Sequence, residues 1–114
     1  MPYETHIDYL PATRTEADQY RRQDLRRVIV EALHQQPFYM ANDRCLLFAV
    51  QQQGHVISRE QLLVELAWLD QIAQVVRVDI LNRGDRLNVA NLTNEGVMVA
   101  QGLLVLPGIA AIAH

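Results

Sequence analysis

Arginine supplies the chemistry this chain offers most plainly: its ten basic residues are all arginines, with no lysine anywhere. A guanidinium is a planar fork of donors that fits phosphate oxygens and the major-groove edge of guanine. Arg59, Arg83 and Arg86, with the hydrogen-bonding side chains of Ser58 and Gln61, are therefore the residues whose types suit contact with double-stranded DNA. A second group suits contact with protein. Trp68 is the sole tryptophan, and Leu103, Leu104, Val105 and Ile109 lie in an apolar stretch near the end of the chain. Trp68 either completes a core or stands exposed, where an aromatic favours a protein interface.

Other reactive types are scattered. The single cysteine, Cys45, makes no disulfide framework and a poor soft-metal site, so a buried structural role is expected for it. His6, His34, His55 and His114 lie far apart and none pairs with another at i+4, so they read as surface or turn residues; no metal site and no cofactor is expected. No serine, cysteine or histidine set stands in triad order, no glycine-rich phosphate loop occurs, and no carboxylate pair sits in a catalytic motif. An enzyme is not expected. Arg83-Gly84-Asp85, a cell-adhesion tripeptide in other settings, reads here as hairpin-turn chemistry.

The bulk numbers bound what can hold these residues. A chain of 114 residues suits one domain, and 50% hydrophobic with 20% charged residues is globular composition, not the signature of disorder. The formal net charge of −3 argues mildly against nucleic acid, because phosphate neutralisation drives most DNA affinity and an acidic domain must gather its arginines on one face. The first residues carry Glu4 and Asp8 and no apolar run, so no export signal is expected. The nearly apolar stretch Leu103 to Ala113 is broken by Pro107 and Gly108 and is too short to span a bilayer, so no membrane anchor is expected either. A reducing, cytoplasmic setting follows as the expectation.

Positioning falls to a short series of elements. Residues 1–14 contain Pro2 and Pro11 without helical or alternating period and read as an arm, anchored by Tyr3, Tyr9 and Leu10. Thr15 with Asp18 opens a first helix, in which Leu25, Val28, Ile29, Ala32 and Leu33 form one apolar stripe. Asn42 caps a second helix running to about Gln53, with Cys45, Leu46, Ala49 and Val50 as its inner side and Gly54 as its exit. Ser58 and Gln61 make a capping box for a third helix to about Gln71, striped by Leu62, Leu66 and Leu69. Its outward positions are then Gln61, Val64, Glu65 and Trp68, with Arg59 at its entrance.

Beyond it the period falls from 3.6 to 2. Val76, Val78 and Ile80 alternate with Arg77 and Asp79, Asn82 to Asp85 supply turn residues, and Leu87 to Leu92 resume an extended pattern, which is a β-hairpin. Thr93 caps a last helix from Asn94 to about Gln101, and Gly102 ends it. The domain is expected over residues 15–102, with residues 103–114 as an apolar tail that packs on its own core or makes a dimer contact. The fold class is mainly α with a small β-hairpin, an α+β arrangement.

Three helices with a tight turn between the second and third, followed by a hairpin, resemble the winged helix-turn-helix of bacterial regulators. Leu92-Thr93-Asn94-Glu95-Gly96, with Ala100 beyond, is similar to the LTxxG stretch that closes the wing in many ArsR-like and MarR-like proteins. Leu25 to Gly102 also resembles a group of small ArsR-like proteins of Mu-like phages and prophages. The match is carried by Ser58 to Leu62, Leu66 to Leu69, and Leu92 to Gly102 with Pro107-Gly108-Ile109. The resemblance implies a three-helix core, a two-stranded wing and a C-terminal helix. It also implies a phage-derived transcriptional regulator that binds DNA as a homodimer, with the third helix in the major groove. Charge qualifies that reading: from Ser58 to Asp70 Arg59 stands alone against Glu60, Glu65 and Asp70, whereas the hairpin carries Arg77, Arg83 and Arg86 against Asp79 and Asp85. The alternative is a winged helix used as a protein-interaction or assembly module, meeting a phage or host protein without DNA.

Overall fold

The computed structural model describes residues 2–113, with side chains described at 15–82, 84 and 86–113. Four helices and a three-stranded antiparallel sheet make a small α+β domain. In chain order these are α1 (Pro2–His34), a 3-10 turn (Pro37–Tyr39), β1 (Met40–Asn42), α2 (Asp43–Gln52), α3 (Arg59–Gln71), β2 (Val76–Arg83), β3 (Asp85–Leu92) and α4 (Asn94–Ala100).

Helix α1 starts at Pro2 and not near Thr15, so the segment expected as an arm is helical. Proline is well tolerated in a first helical turn, where its missing N–H has no partner to lose. The expected anchoring by Tyr3, Tyr9 and Leu10 lies outside the described side chains. Further along, Leu25, Val28, Ile29 and Leu33 are buried as their spacing requires, joined by Val30.

The short helices are set by local chemistry. The Asn42 side chain accepts from the Cys45 N–H at 2.9 Å and starts α2. At its end Gly54 takes φ +95°, and the His55 N–H reaches back to the Val50 carbonyl at 3.0 Å, a Schellman closure. In α2 the inner face is Asp43, Leu46 and Val50, a three- and four-residue spacing that leaves Cys45 on the far side. Cys45 is exposed, which corrects its expected burial. Ser58 and Gln61 complete their capping box: the Gln61 N–H donates to Ser58 Oγ at 3.1 Å, and the Ser58 N–H donates to Gln61 Oε1 at 2.8 Å.

The sheet has the order β1-β3-β2. The hairpin pairs Val76 with Leu92 and continues to Arg83 with Asp85 around Gly84, while β1, which the sequence pattern did not reveal, pairs Met40 with Asn91 on the other edge of β3. Three residues behind Pro37 are too few to show a period. Val75, Val76, Ala90 and Leu92 close the core against Leu62, Leu66 and Leu69 of α3.

Thr93 caps α4 by accepting from the Gly96 N–H at 3.1 Å, and its hydroxyl donates to the Gln74 carbonyl at 2.9 Å. A Cβ on residue 96 would stand 2.0 Å from the Val75 carbonyl oxygen, so close approach of α4 to the β2 entrance requires glycine. The tail then runs back over α1. The Ala110 N–H donates to the Gln23 carbonyl at 3.1 Å, and Ile109 is buried in the core.

Candidate functional site

The residues selected for DNA contact lie at the start of α3 and along the hairpin, and the three on or beside α3 each spend a side-chain polar atom on a partner within the chain. Ser58 and Gln61 serve each other in the capping box. Arg59 turns inward: its Nη2 donates to Asp43 Oδ2 at 2.9 Å and to the Arg86 carbonyl at 2.9 Å. The same Asp43 oxygen accepts from the backbone N–H of Asn88 at 3.1 Å and from its Nδ2 at 2.8 Å.

Asp43 is thus a buried carboxylate that ties the start of α2 to the start of α3 and to β3, with a side-chain exposure of 0% against 40% for Arg59. Burial pushes its carboxyl upward, but the bonds from Asn88 and Arg59 outweigh that and hold it below the ordinary value. Arg59 is in this way a structural clamp more than a free reader of phosphate. Arg86 is exposed, and the side chain of Arg83 lies outside those described.

Acidic charge on α3 is also consumed. Glu65, expected to face outward, is buried between two arginines of α1. The Arg26 Nε donates to Oε1 at 2.6 Å and the Arg22 Nε to Oε2 at 3.1 Å. Arg26 donates in addition to the Gly108 carbonyl at 2.9 Å, and its guanidinium carbon lies 3.7 Å from the centre of the Trp68 ring.

Trp68 is half-buried beneath this cation, and a Cβ on residue 108 would lie 2.6 Å from its ring, so the tail backbone presses on the indole. These contacts join α1, α3 and the tail in one ionic and aromatic layer. Of the two readings open to Trp68, its packing is that of a residue completing the core of its own chain, whereas Ile109, expected at the interface, is 5% exposed and belongs to the core, which corrects that expectation. Leu103 and Val105 remain exposed, and Leu104 is half-buried against the core. A signal for Glu65 was present, since its three- and four-residue spacing from Leu62 and Leu69 places it on the apolar stripe, where an acid needs a partner.

What α3 shows to solvent is the stripe Glu60, Gln61, Val64, Ala67 and Gln71, one acid and no base. Val64 is 58% exposed. Beside it a cleft of about 440 Å³ opens between α1 and α3, with Leu25, Ile57 and Val64 as its apolar lining and Arg21, Asp18 and Gln61 around it. The hairpin shows a mixed surface of Arg77, Asp79, Ile80, Leu81 and Arg86.

Among the described residues no group of three or more His, Cys, Asp or Glu side chains could hold a metal ion, and no helix is long and apolar enough to cross a membrane. No family model matches the chain, and no curated protein matches it significantly.

Proposed function

We propose that this chain is a winged-helix domain used as a protein-interaction module, with the outward side of α3 and the adjoining cleft as its contact surface and a phage or host protein as its partner. The order helix, strand, helix, helix, hairpin, helix supports the winged-helix reading. The observation that carries the function is the outward stripe of α3. A helix that enters a major groove must meet two rows of phosphates, and this one offers Glu60, Gln61, Val64, Ala67 and Gln71 while Arg59 is held by Asp43. An apolar residue beside a cleft with a polar rim suits a protein side chain better than a base edge.

One observation favours a second reading. Arg77 and Arg86 are exposed on the hairpin, where duplex DNA could be held through its backbone alone. Titrating a fluorescent mixed-sequence duplex at about 50 and 200 mM salt separates the two. The interaction-module reading expects no saturable binding at either salt concentration. Binding that falls steeply with salt and disappears in an Arg77→Ala, Arg86→Ala variant would replace it with the DNA-binding one.

A further inference from the structure

We propose that the site between α1 and α3 that holds the C-terminal turn of this chain also takes the same turn from a second copy, so that two copies pair by exchanging residues 103–113. The inference goes beyond the outward side of α3 and does not depend on it.

The turn is a compact recognition element. Leu106, Pro107, Gly108 and Ile109 form a type II turn, in which Gly108 takes φ +87° and the Ile109 N–H donates to the Leu106 carbonyl at 3.3 Å. Proline presets the second position and glycine supplies the positive φ of the third. The site reads this turn at successive residues. Arg26 Nη1 donates to the Gly108 carbonyl at 2.9 Å, and the Trp68 ring lies where a Cβ on residue 108 would come within 2.6 Å. Ile109 enters the core, and the Ala110 N–H donates to the Gln23 carbonyl of α1 at 3.1 Å. The site is thus specific for proline, glycine and an aliphatic residue in that order.

The linker decides the occupant. Gly102, at φ +75°, is the joint at which the chain leaves α4, and residues 101–106 connect that helix to the turn. Fully extended they reach about 20 Å, enough to carry the turn to an adjoining copy. Along the linker Leu104 and Leu106 pack on the core, whereas Leu103 and Val105 are 68% and 66% exposed. The contacts of the turn are the same within one chain and between two, so they set specificity alone. Laying two linkers across each other buries Leu103 and Val105 against their counterparts, a gain that only the exchanged pair has.

Two full-length variants test this. Ile109→Asp cannot seat its own tail but keeps the site, whereas Trp68→Ala keeps the tail and, lacking the sole tryptophan, emits no tryptophan fluorescence. Titrating the second into the first is expected to change Trp68 emission saturably by about 1 mM, the scale at which a short linker holds its own tail. Adding Gly108→Ala to the second should weaken the response by about tenfold or more, because alanine is strained at that φ and meets the indole. Circular dichroism establishes that each variant is folded, with Ile109→Ala and Trp68→Phe as the milder replacements. In sedimentation equilibrium wild type is expected to dimerise, and a Leu103→Ser, Val105→Ser variant to do so about tenfold more weakly or worse. Emission that does not change up to about 1 mM overturns the proposal. So does a response that survives Gly108→Ala, or a wild-type chain that stays monomeric at millimolar concentration.

Discussion

Replacing Glu65 by alanine is expected to cost about 3–5 kcal/mol of stability, the range for removing one partner of a buried ion pair. The magnitude comes from Arg26. Its side chain is only 9% exposed and would keep the Gly108 carbonyl and the Trp68 ring as partners, but its charge would lose its buried carboxylate. Arg22 adds little, because it is 56% exposed and screened by solvent. Urea unfolding should show a lower midpoint at an unchanged slope. Replacing both partners with apolar residues, Glu65→Leu with Arg26→Met, should recover much of the loss, since a buried pair is roughly interchangeable with well-packed hydrocarbon. A single-variant loss below about 1 kcal/mol would mean that the layer between α1 and α3 is less buried than described.

The Asp43→Ala substitution is expected to be nearly as severe, about 3 kcal/mol, because the donors left behind by Arg59 and by both nitrogens of Asn88 would lose a common acceptor. Asp43→Asn keeps the volume and isolates the charge. The Asp43 carboxyl is held below its ordinary value of 3.8 in the folded state, so it binds a proton less readily folded than unfolded. Its stabilisation is therefore complete above the ordinary carboxylate range and is lost as pH falls through the depressed folded value. Asp24, held down by bonds from Arg27 and His55 that outweigh its burial, acts in the same direction. In thermal unfolding the gap between wild type and Asp43→Asn should be widest near neutral pH and should narrow below about pH 4. A gap independent of pH would show that the carboxylate's charge plays no part.

The two tests concern the parts of the molecule that were hardest to read from sequence. The starts of α2, α3 and α4 were legible because each is set by residues three apart, Asn42 with Cys45, Ser58 with Gln61, and Thr93 with Gly96. The hairpin was legible because its alternation runs over a full strand on each side of a Gly turn. Strand β1 had no such length, and Pro11 hid the helical continuation of α1 towards Pro2.

The candidate site was legible in position but not in employment. Arg59 does stand at the entrance of α3, yet its partner Asp43 is 16 residues away, and the arginines that absorb Glu65 are 43 and 39 residues away. No local pattern fixes such pairings, which depend on how helices rotate about their axes. The rotation of α2 that buries Asp43 also turns Cys45 outward. Counting charges along α3 therefore overstated its acidity and overlooked the loss of its one base.

The outward side of α3 is the surface proposed to meet protein. It is tested most directly by placing a photo-reactive amino acid at Val64, irradiating cells that contain the chain, and treating the adduct separately with nuclease and with protease. The expected adduct resists nuclease and on proteolysis releases peptides of a second protein. An adduct that nuclease removes would contradict it and return α3 to the DNA groove.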